Sequence, residues 1–184
     1  MNDQRVLFVD LDGTLIKEDL SSLAFSHSLN NFPMRTLFYL FVFLFRGKSY
    51  LKEKISKNFE VPFQKLSFNK AAFDFIREQK NRHRVVYLIS GSHQTLVDQM
   101  DRHLNIFFES FGTRDNFNMV GHNKVRFIKE NLKIHDFDYL GNSQQDLPIW
   151  KYTKKSIHTN ATQKLIKTIK SLDFEDKEIP ANFS

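Results

Sequence analysis

The hydrophobic pattern divides the chain into short apolar runs that alternate with longer amphipathic stretches. Residues 5–9 (RVLFV) form the first run, and it stops at Asp10-Leu11-Asp12-Gly13-Thr14. This is the pattern of a buried strand ending in a polar, glycine-containing turn. Between residues 18 and 62 the period becomes helical and strongly aromatic, with Pro33 and Gly47 as breakers. Pro62 and Ser67-Phe68-Asn69 mark a change back. Residues 70–81 (KAAFDFIREQKN) predict an amphipathic helix and residues 85–90 (VVYLIS) a second buried strand. A helix over roughly 93–103, the apolar run NIFFESF, a helix over 122–132 and a short strand DYLG (138–141) follow. QDLPIWKYT begins a further helix, SIHTN (156–160) is a last strand, and QKLIKTIKSL (163–172) is a last helix. Beyond Asp173 the pattern predicts only a polar tail.

Strands that alternate with helices and are apolar along their whole length predict an α/β fold, with a parallel sheet covered by helices on both faces. Ligands of such sheets bind beyond the carboxyl ends of the strands. The residues there are Asp10 and Asp12, then Ser90-Gly91-Ser92, then Gly141-Asn142-Ser143 with Asp146. All three sets are polar and small or acidic, and they point to one site.

Composition narrows the choice. The chain has 184 residues, 41% hydrophobic and 26% charged, which suits one globular domain with a small insertion. It has no cysteine, which excludes disulfide scaffolds, thiolate zinc sites, iron–sulfur clusters and cysteine nucleophiles, and makes a reducing, cytoplasmic setting the expectation. A net charge of +6 permits an anionic partner. The basic residues are scattered and form no stripe, so no nucleic-acid partner is expected. Residues 37–45 (LFYLFVFLF) are the longest apolar run. As a helix they cover ~14 Å, about half of a ~30 Å hydrocarbon core, so no membrane span is expected. Met1-Asn2-Asp3-Gln4-Arg5 is not a basic region followed by a long apolar core and a small-residue cleavage site, so no secretory segment is expected. The Gly47-Lys48-Ser49 triplet lacks the glycine a phosphate loop needs at position 42, where Val42 stands.

The chemistry concentrates at Asp10 and Asp12. Residues two apart on an extended segment face the same way, and two carboxylates aimed at one spot repel unless a cation or a shared proton intervenes. That points to a divalent metal and to a division between nucleophile and acid/base. Gly13 permits a sharp exit and close approach to a ligand, and Thr14 can hold the turn through its hydroxyl. A plain Asp-Gly turn is the alternative. A calcium loop of the EF-hand type is not, because its glycine belongs at the sixth position and Gly13 stands at the fourth.

VLFVDLDGTL resembles the first motif of the haloacid dehalogenase (HAD) superfamily of phosphotransfer enzymes. VVYLISGS is similar to the second motif, with Ser90 as its hydroxyl. Lys124 in NMVGHNKVRFI matches the lysine of the third. YLGNSQQDLPIW looks like the fourth, usually G-D-x-x-x-D. The resemblance runs from about Val6 to Asn160 and implies a Rossmann-like sheet, with the core at 1–17 and 63–184 and a helical cap at 18–62. Within the superfamily, LSFNKAAFDFIREQK, FDYLGNSQQDLPIWK and SIHTNAT look like the HAD domains joined to membrane prenyltransferases of the ubiquinone-biosynthesis type.

The resemblance implies a Mg²⁺-dependent phosphomonoester hydrolase. Asp10 attacks phosphorus to form an aspartyl-phosphate, and Asp12 protonates the leaving oxygen and then activates water. Ser90, Ser92, Gly91, Gly13 and Thr14 hold the phosphoryl group, and Lys124 neutralises charge. Asp10, the backbone carbonyl of Asp12, Asn142 and Asp146 hold Mg²⁺, Asp146 through water. Asn142 departs from the usual aspartate. Its amide oxygen can ligate Mg²⁺ but adds no charge, so weaker metal binding is expected. The substrate class is a soluble or lipid-linked phosphomonoester. A weakly active or inactive HAD-fold partner or regulatory subunit of a membrane-bound prenyltransferase-type enzyme is the alternative. Leu37–Phe45 is apolar on every side and is expected to be buried between cap helices. Peripheral contact of 37–57 with an anionic membrane is the alternative there, because Arg46, Lys48, Lys52, Lys54 and Lys57 face only Glu53.

Overall fold

A computed structural model describes residues 5–114, 117–171 and 175–184. Strand β1 (Val6–Val9) is followed by helices α1 (Leu20–Asn31), α2 (Pro33–Ser56) and α3 (Lys70–Asn81). Then come β2 (Val86–His93), α4 (Gln94–Leu104), β3 (Ser110–Thr113), α5 (His122–Arg126), β4 (Phe137–Gly141), α6 (Leu147–Trp150), β5 (Lys155–Thr159), α7 (Gln163–Lys170) and β6 (Glu175–Ile179). The strands form one sheet in the order β3-β2-β1-β4-β5-β6, every neighbouring pair parallel.

Alternation along β1 divides the core. Leu7 and Val9 turn to one face, where they pack with Leu20 of α1, Ile76 of α3 and Leu96 of α4. Phe8 turns to the other and packs with Val125 of α5, Trp150 of α6 and Ile169 of α7. Burial on both faces is the reason the strand contains only apolar residues. The chain builds outward from β1 through β2 and β3, then returns to the other side of β1 for β4 to β6. This reversal opens a crevice beyond the carboxyl ends of β1 and β4, the place where open α/β sheets bind ligands. Asp10 directly follows β1, and its N–H donates to Leu140 O at 2.9 Å.

Two of the expected elements differ in the structure. The residues beyond Asp173 include more than a tail. Glu175–Ile179 pairs in parallel with β5, Ile157 opposite Lys177 and Thr159 opposite Ile179, and closes the sheet edge. Its polar sequence EDKEI reflects an edge strand that buries only Ile179 at its end. The helix expected over 122–132 is α-helical only through Arg126 and continues as a π-helical turn over Phe127–Asn131.

The segment between β1 and α3 contains two helices. Asp19 caps α1 by accepting from Ser22 N at 2.7 Å, and Pro33 opens α2 at the position where a missing N–H costs nothing. Gly47, at φ 78° and ψ −177°, kinks α2. Beyond the kink Ser49, Ile55 and Ser56 are buried; before it only Thr36 is. Residues 37–45 contain no buried side chain, so the expected packing of this run between cap helices does not occur.

Candidate active site

Three strand ends and one helix converge. From β1, Asp10 Oδ1 accepts from Lys124 Nζ of α5 at 2.7 Å, with both residues nearly buried. Lys124 Nζ also lies 2.7 Å from the Tyr139 hydroxyl of β4, and that hydroxyl donates to Asp146 Oδ1 at 2.8 Å. Asp146 Oδ2 accepts from Asn142 N at 3.1 Å, Ser143 N at 2.9 Å and Ser143 Oγ at 3.1 Å. Asp146 thereby fixes the turn after β4 and orients Lys124 through Tyr139.

Asp12 is held separately. Its Oδ1 accepts from Leu20 N at the start of α1 at 2.8 Å, and its Oδ2 accepts from Ser90 Oγ at 2.8 Å and Ser92 Oγ at 2.9 Å. Burial raises the Asp10 carboxyl to about 7, against the opposing pull of Lys124 and with reinforcement from Asp146 and Asp12. Burial also raises Asp12; the bond from Leu20 N opposes it, Asp19 adds to it, and the two serines oppose it. Burial pushes the Tyr139 phenol well above its usual value, and the charges of Asp10 and Asp146 add to this, so it remains a proton donor.

These groups line one cavity of about 370 Å³. Asp10, Asp12, Gly13, Gly91, Ser92, Lys124, Asn142 and Asp146, all singled out from sequence, are on its wall. Two others are not. Ser90 is fully buried, its hydroxyl engaged with Asp12 and with Ser92 N, whereas Ser92 reaches the wall although its hydroxyl is bonded to Asp12 Oδ2 at 2.9 Å and to Ser21 Oγ at 3.1 Å. Thr14 is fully buried with no hydrogen-bond partner for its hydroxyl among the described residues, so it neither lines the cavity nor holds the turn as expected. The turn is held instead by backbone bonds to Leu11 O and by Asn160 Nδ2 donating to Gly13 O at 3.1 Å.

Gly13 adopts φ +77°, and a Cβ there would stand 2.1 Å from Asn142 Nδ2. The turns after β1 and β4 therefore touch because residue 13 has no side chain. Asn142 Oδ1 is buried and has no donor among the described residues. An acceptor buried without a donor is costly, and it suits a cation ligand. Asp10, Asn142 and Asp146 form an all-oxygen set of the kind hard divalent cations take. Asp146 already accepts four protein bonds, which suits contact through water.

Lys52 was legible only as one of a basic run. It reaches from α2 across the cavity mouth and donates to Gly91 O at 2.6 Å and to Asn118 Oδ1 at 2.8 Å. Burial lowers its pKa, while Asp12 and Asp19 pull it up. Lys17, Asp19, Ser21 and Gln145 also line the wall. Tyr139 likewise reads in the sequence as an ordinary strand residue. Its signal was its place two positions before Gly141, on the same strand face; a Cβ at Gly141 would stand 2.6 Å from the Tyr139 ring.

The family model for haloacid dehalogenase-like hydrolases matches residues 7–151. The chain belongs to this family. Among curated proteins, Uncharacterized protein y4nM of Sinorhizobium fredii (strain NBRC 101917 / NGR234) is 34% identical over 151 residues, 79% of this chain and 28% of that protein. The chain thus spans little more than a quarter of that relative. Among solved structures, a Bordetella pertussis Tohama I protein of unknown function superposes with a TM-score of 0.69 at 15% identity, covering 94% of this chain and 97% of the other. A substrate-bound phosphoserine phosphatase superposes at 0.61 and 15% identity, covering 95% and 92%. A phospho-aspartyl intermediate analogue of phosphoserine phosphatase gives 0.61 at 16%, covering 96% and 95%. At these identities the likeness is one of fold, and it extends over nearly the whole HAD-like chain.

Proposed function

We propose that this HAD-like hydrolase is a Mg²⁺-dependent phosphomonoesterase that works through an aspartyl-phosphate on Asp10. The observation that carries the reading is the pairing of Asp10 with Lys124 on the wall of a cavity that also contains Asp12, held apart by its own donors. In the first step a carboxylate oxygen of Asp10 attacks phosphorus and the bond to the leaving oxygen breaks, with Asp12 giving that oxygen its proton. Burial raises Asp12 toward the protonated form an acid needs. In the second step Asp12 takes a proton from water, the water oxygen attacks phosphorus, and the Asp10–phosphoryl bond breaks to release inorganic phosphate.

Lys124 neutralises Asp10 and the incoming phosphoryl oxygens, and Tyr139 and Asp146 hold it in position. Gly91 and Ser92 form part of the cavity wall, where the Ser92 hydroxyl holds Asp12. Asp10, the Asp12 carbonyl and Asn142 would hold Mg²⁺, with Asp146 behind a water. When bound, the ion supplies Lewis-acid charge against the phosphoryl group. Lys52 and its neighbours from α1 and α2 form the mouth and select the ester's leaving group, a soluble or lipid-linked alcohol.

A second reading is a weakly active HAD-like domain serving a membrane prenyltransferase-type enzyme. Asn142 favours it, because an amide replaces the charged ligand the family pattern has at that position. Phosphate release from p-nitrophenyl phosphate and a phosphomonoester panel, in Mg²⁺ or EDTA, separates the two. Metal-dependent turnover that is lost in Asp10→Asn supports the phosphatase. Absence of turnover on every substrate, from folded protein in saturating Mg²⁺, refutes it.

A further inference from the structure

The part of α2 before the Gly47 kink stands away from the core. At 100° per residue, Met34, Leu37, Phe38, Phe41, Leu44 and Phe45 fall within about 120° of one another on a single stripe. All six are exposed, Met34 and Phe45 by more than three quarters. The opposite side of the helix is occupied: Thr36 is buried and its hydroxyl bonds Ser28 of α1 at 2.7 Å. The stripe is therefore a second apolar face, left over after the helix has made its contact with α1, and it runs for roughly three turns.

Its electrostatic setting is one-sided. From Leu20 through Lys52 the sequence contains no Asp or Glu, but it contains Arg35, Arg46, Lys48 and Lys52. Arg35 and Arg46 project on one margin of the stripe, each over an aromatic ring, Arg35 at 4.0 Å from the Phe32 centroid and Arg46 at 5.5 Å from that of Tyr50. Glu53, the first carboxylate after this stretch, pairs with Lys54 at 2.8 Å. Phenylalanine and leucine in the middle, cations at the margin and no carboxylate nearby are the features of a helix that lies in a bilayer interface. Among the described residues, no helix is long and apolar enough to cross a membrane.

We propose that this face of α2 docks the protein on the surface of an anionic lipid bilayer, the aromatic stripe entering the headgroup–acyl boundary and Arg35, Arg46 and Lys48 meeting lipid phosphates. Bilayer phosphate accounts for both halves of the pattern. An apolar groove on a partner protein accounts for the stripe alone and leaves the carboxylate-free basic margin unexplained. The proposal stands on α2 and is independent of the chemistry at Asp10.

Flotation of the full chain with phosphatidylcholine vesicles, with and without phosphatidylglycerol, tests it. Binding is expected to rise on the order of tenfold or more with phosphatidylglycerol at low salt, to weaken in high salt, and to fall by a similar factor in the Arg46→Ala/Lys48→Ala variant. Phe41→Asp and Phe45→Asp are expected to abolish it. Both positions are exposed, and emission from the fully buried Trp150 confirms that these variants fold. A Phe45→Trp variant is expected to blue-shift on anionic vesicles only. Absence of wild-type binding to phosphatidylglycerol vesicles overturns the proposal, as does binding that the Phe variants retain. A concentration-dependent dimer that Phe41→Asp dissociates, without vesicle binding, assigns the stripe to protein–protein contact instead.

Discussion

Lys124 Nζ lies 2.7 Å from Asp10 Oδ1, and 114 residues of chain separate the two. The pair is almost removed from water, yet it does not hold the Asp10 carboxyl at an ordinary value. Burial outweighs the ammonium and raises it to about 7. The proposed mechanism needs Asp10 ionised, and burial opposes that in the metal-free site. A cation beside Asp10 shifts that balance toward the ionised form.

This balance has a stability signature. The folded-state value of about 7 exceeds the ordinary 3.8, so between these two pH values the unfolded chain releases the Asp10 proton and the folded protein keeps it. Stability of the metal-free protein therefore falls through this window as pH rises, and the loss is complete above it. Asn at position 10 cannot titrate. In EDTA, Asp10→Asn is expected to melt higher than wild type above pH ~7, by on the order of a few kcal/mol at ~1.4 kcal/mol per pKa unit, with the gap closing toward pH ~4. Equal melting temperatures across that range, read by calorimetry, would refute an energetically strained Asp10.

Tyr139 joins Lys124 to Asp146 through one hydroxyl. Tyr139→Phe keeps the ring in the core and deletes that link, which leaves Asp146 Oδ1 short of a donor and Lys124 freer to move. A loss of about 1–3 kcal/mol in transition-state stabilisation, roughly tenfold to a hundredfold in kcat/KM, is expected. Because the serine and backbone contacts to Asp146 Oδ2 persist, the fold should survive. An unchanged kcat/KM in steady-state assays would reduce Tyr139 to a packing residue.

The strand ends were readable because burial on both faces writes itself as unbroken apolar letters, and a polar turn after such a run is conspicuous. Asp10, Asp12, Ser92, Asn142 and Asp146 were found in this way. Lys124 needed the family pattern, since a lysine at the start of a helix carries no burial signal of its own. Three features left no such trace. Lys52 is one cation among several in the sequence, and only its place beyond the Gly47 kink, bonded to Gly91 O and Asn118 Oδ1, marks it as part of the site. Thr14 was assigned a hydroxyl bond that its buried position does not provide. The β6 strand is polar because an edge needs little apolar surface, so period and hydropathy both concealed it. The apolar run before Gly47 did announce itself, but apolarity alone could not say whether protein covers it.

Variants at Gly13 and Asn142 test the proposed Mg²⁺ site from opposite directions. Gly13→Ala places a methyl group at the Asn142 amide and forces a left-handed backbone angle on a residue with a Cβ, a penalty of ~1–2 kcal/mol. A lower melting temperature and a higher half-saturating Mg²⁺ concentration are expected together. Asn142→Asp adds a charge to the cavity and is expected to lower that concentration by on the order of tenfold, while destabilising the metal-free protein through repulsion with the other carboxylates. Magnesium titrations of activity and of thermal stability check both. If neither variant moves the Mg²⁺ dependence, Asn142 is not a ligand.

Lys52 carries the last prediction. Its ammonium faces the cavity from α2, held by one carbonyl and one amide oxygen and by no carboxylate within bonding distance among the described residues. A cation so placed has charge to spare for a ligand. Both Lys52 and Lys124 line the cavity, and Lys124 is committed to Asp10; on the proposed phosphatase reading Lys52 would therefore meet the part of the substrate beyond the phosphorus. Lys52→Met keeps the aliphatic stem and removes the charge. For a phosphomonoester whose alcohol bears a carboxylate or second phosphate, KM is expected to rise on the order of tenfold, the worth of one charge-assisted hydrogen bond. For p-nitrophenyl phosphate, which carries no such group, the change should be several times smaller. Equal losses on both substrates would show that Lys52 supports the Gly91–Asn118 wall and does not read the leaving group.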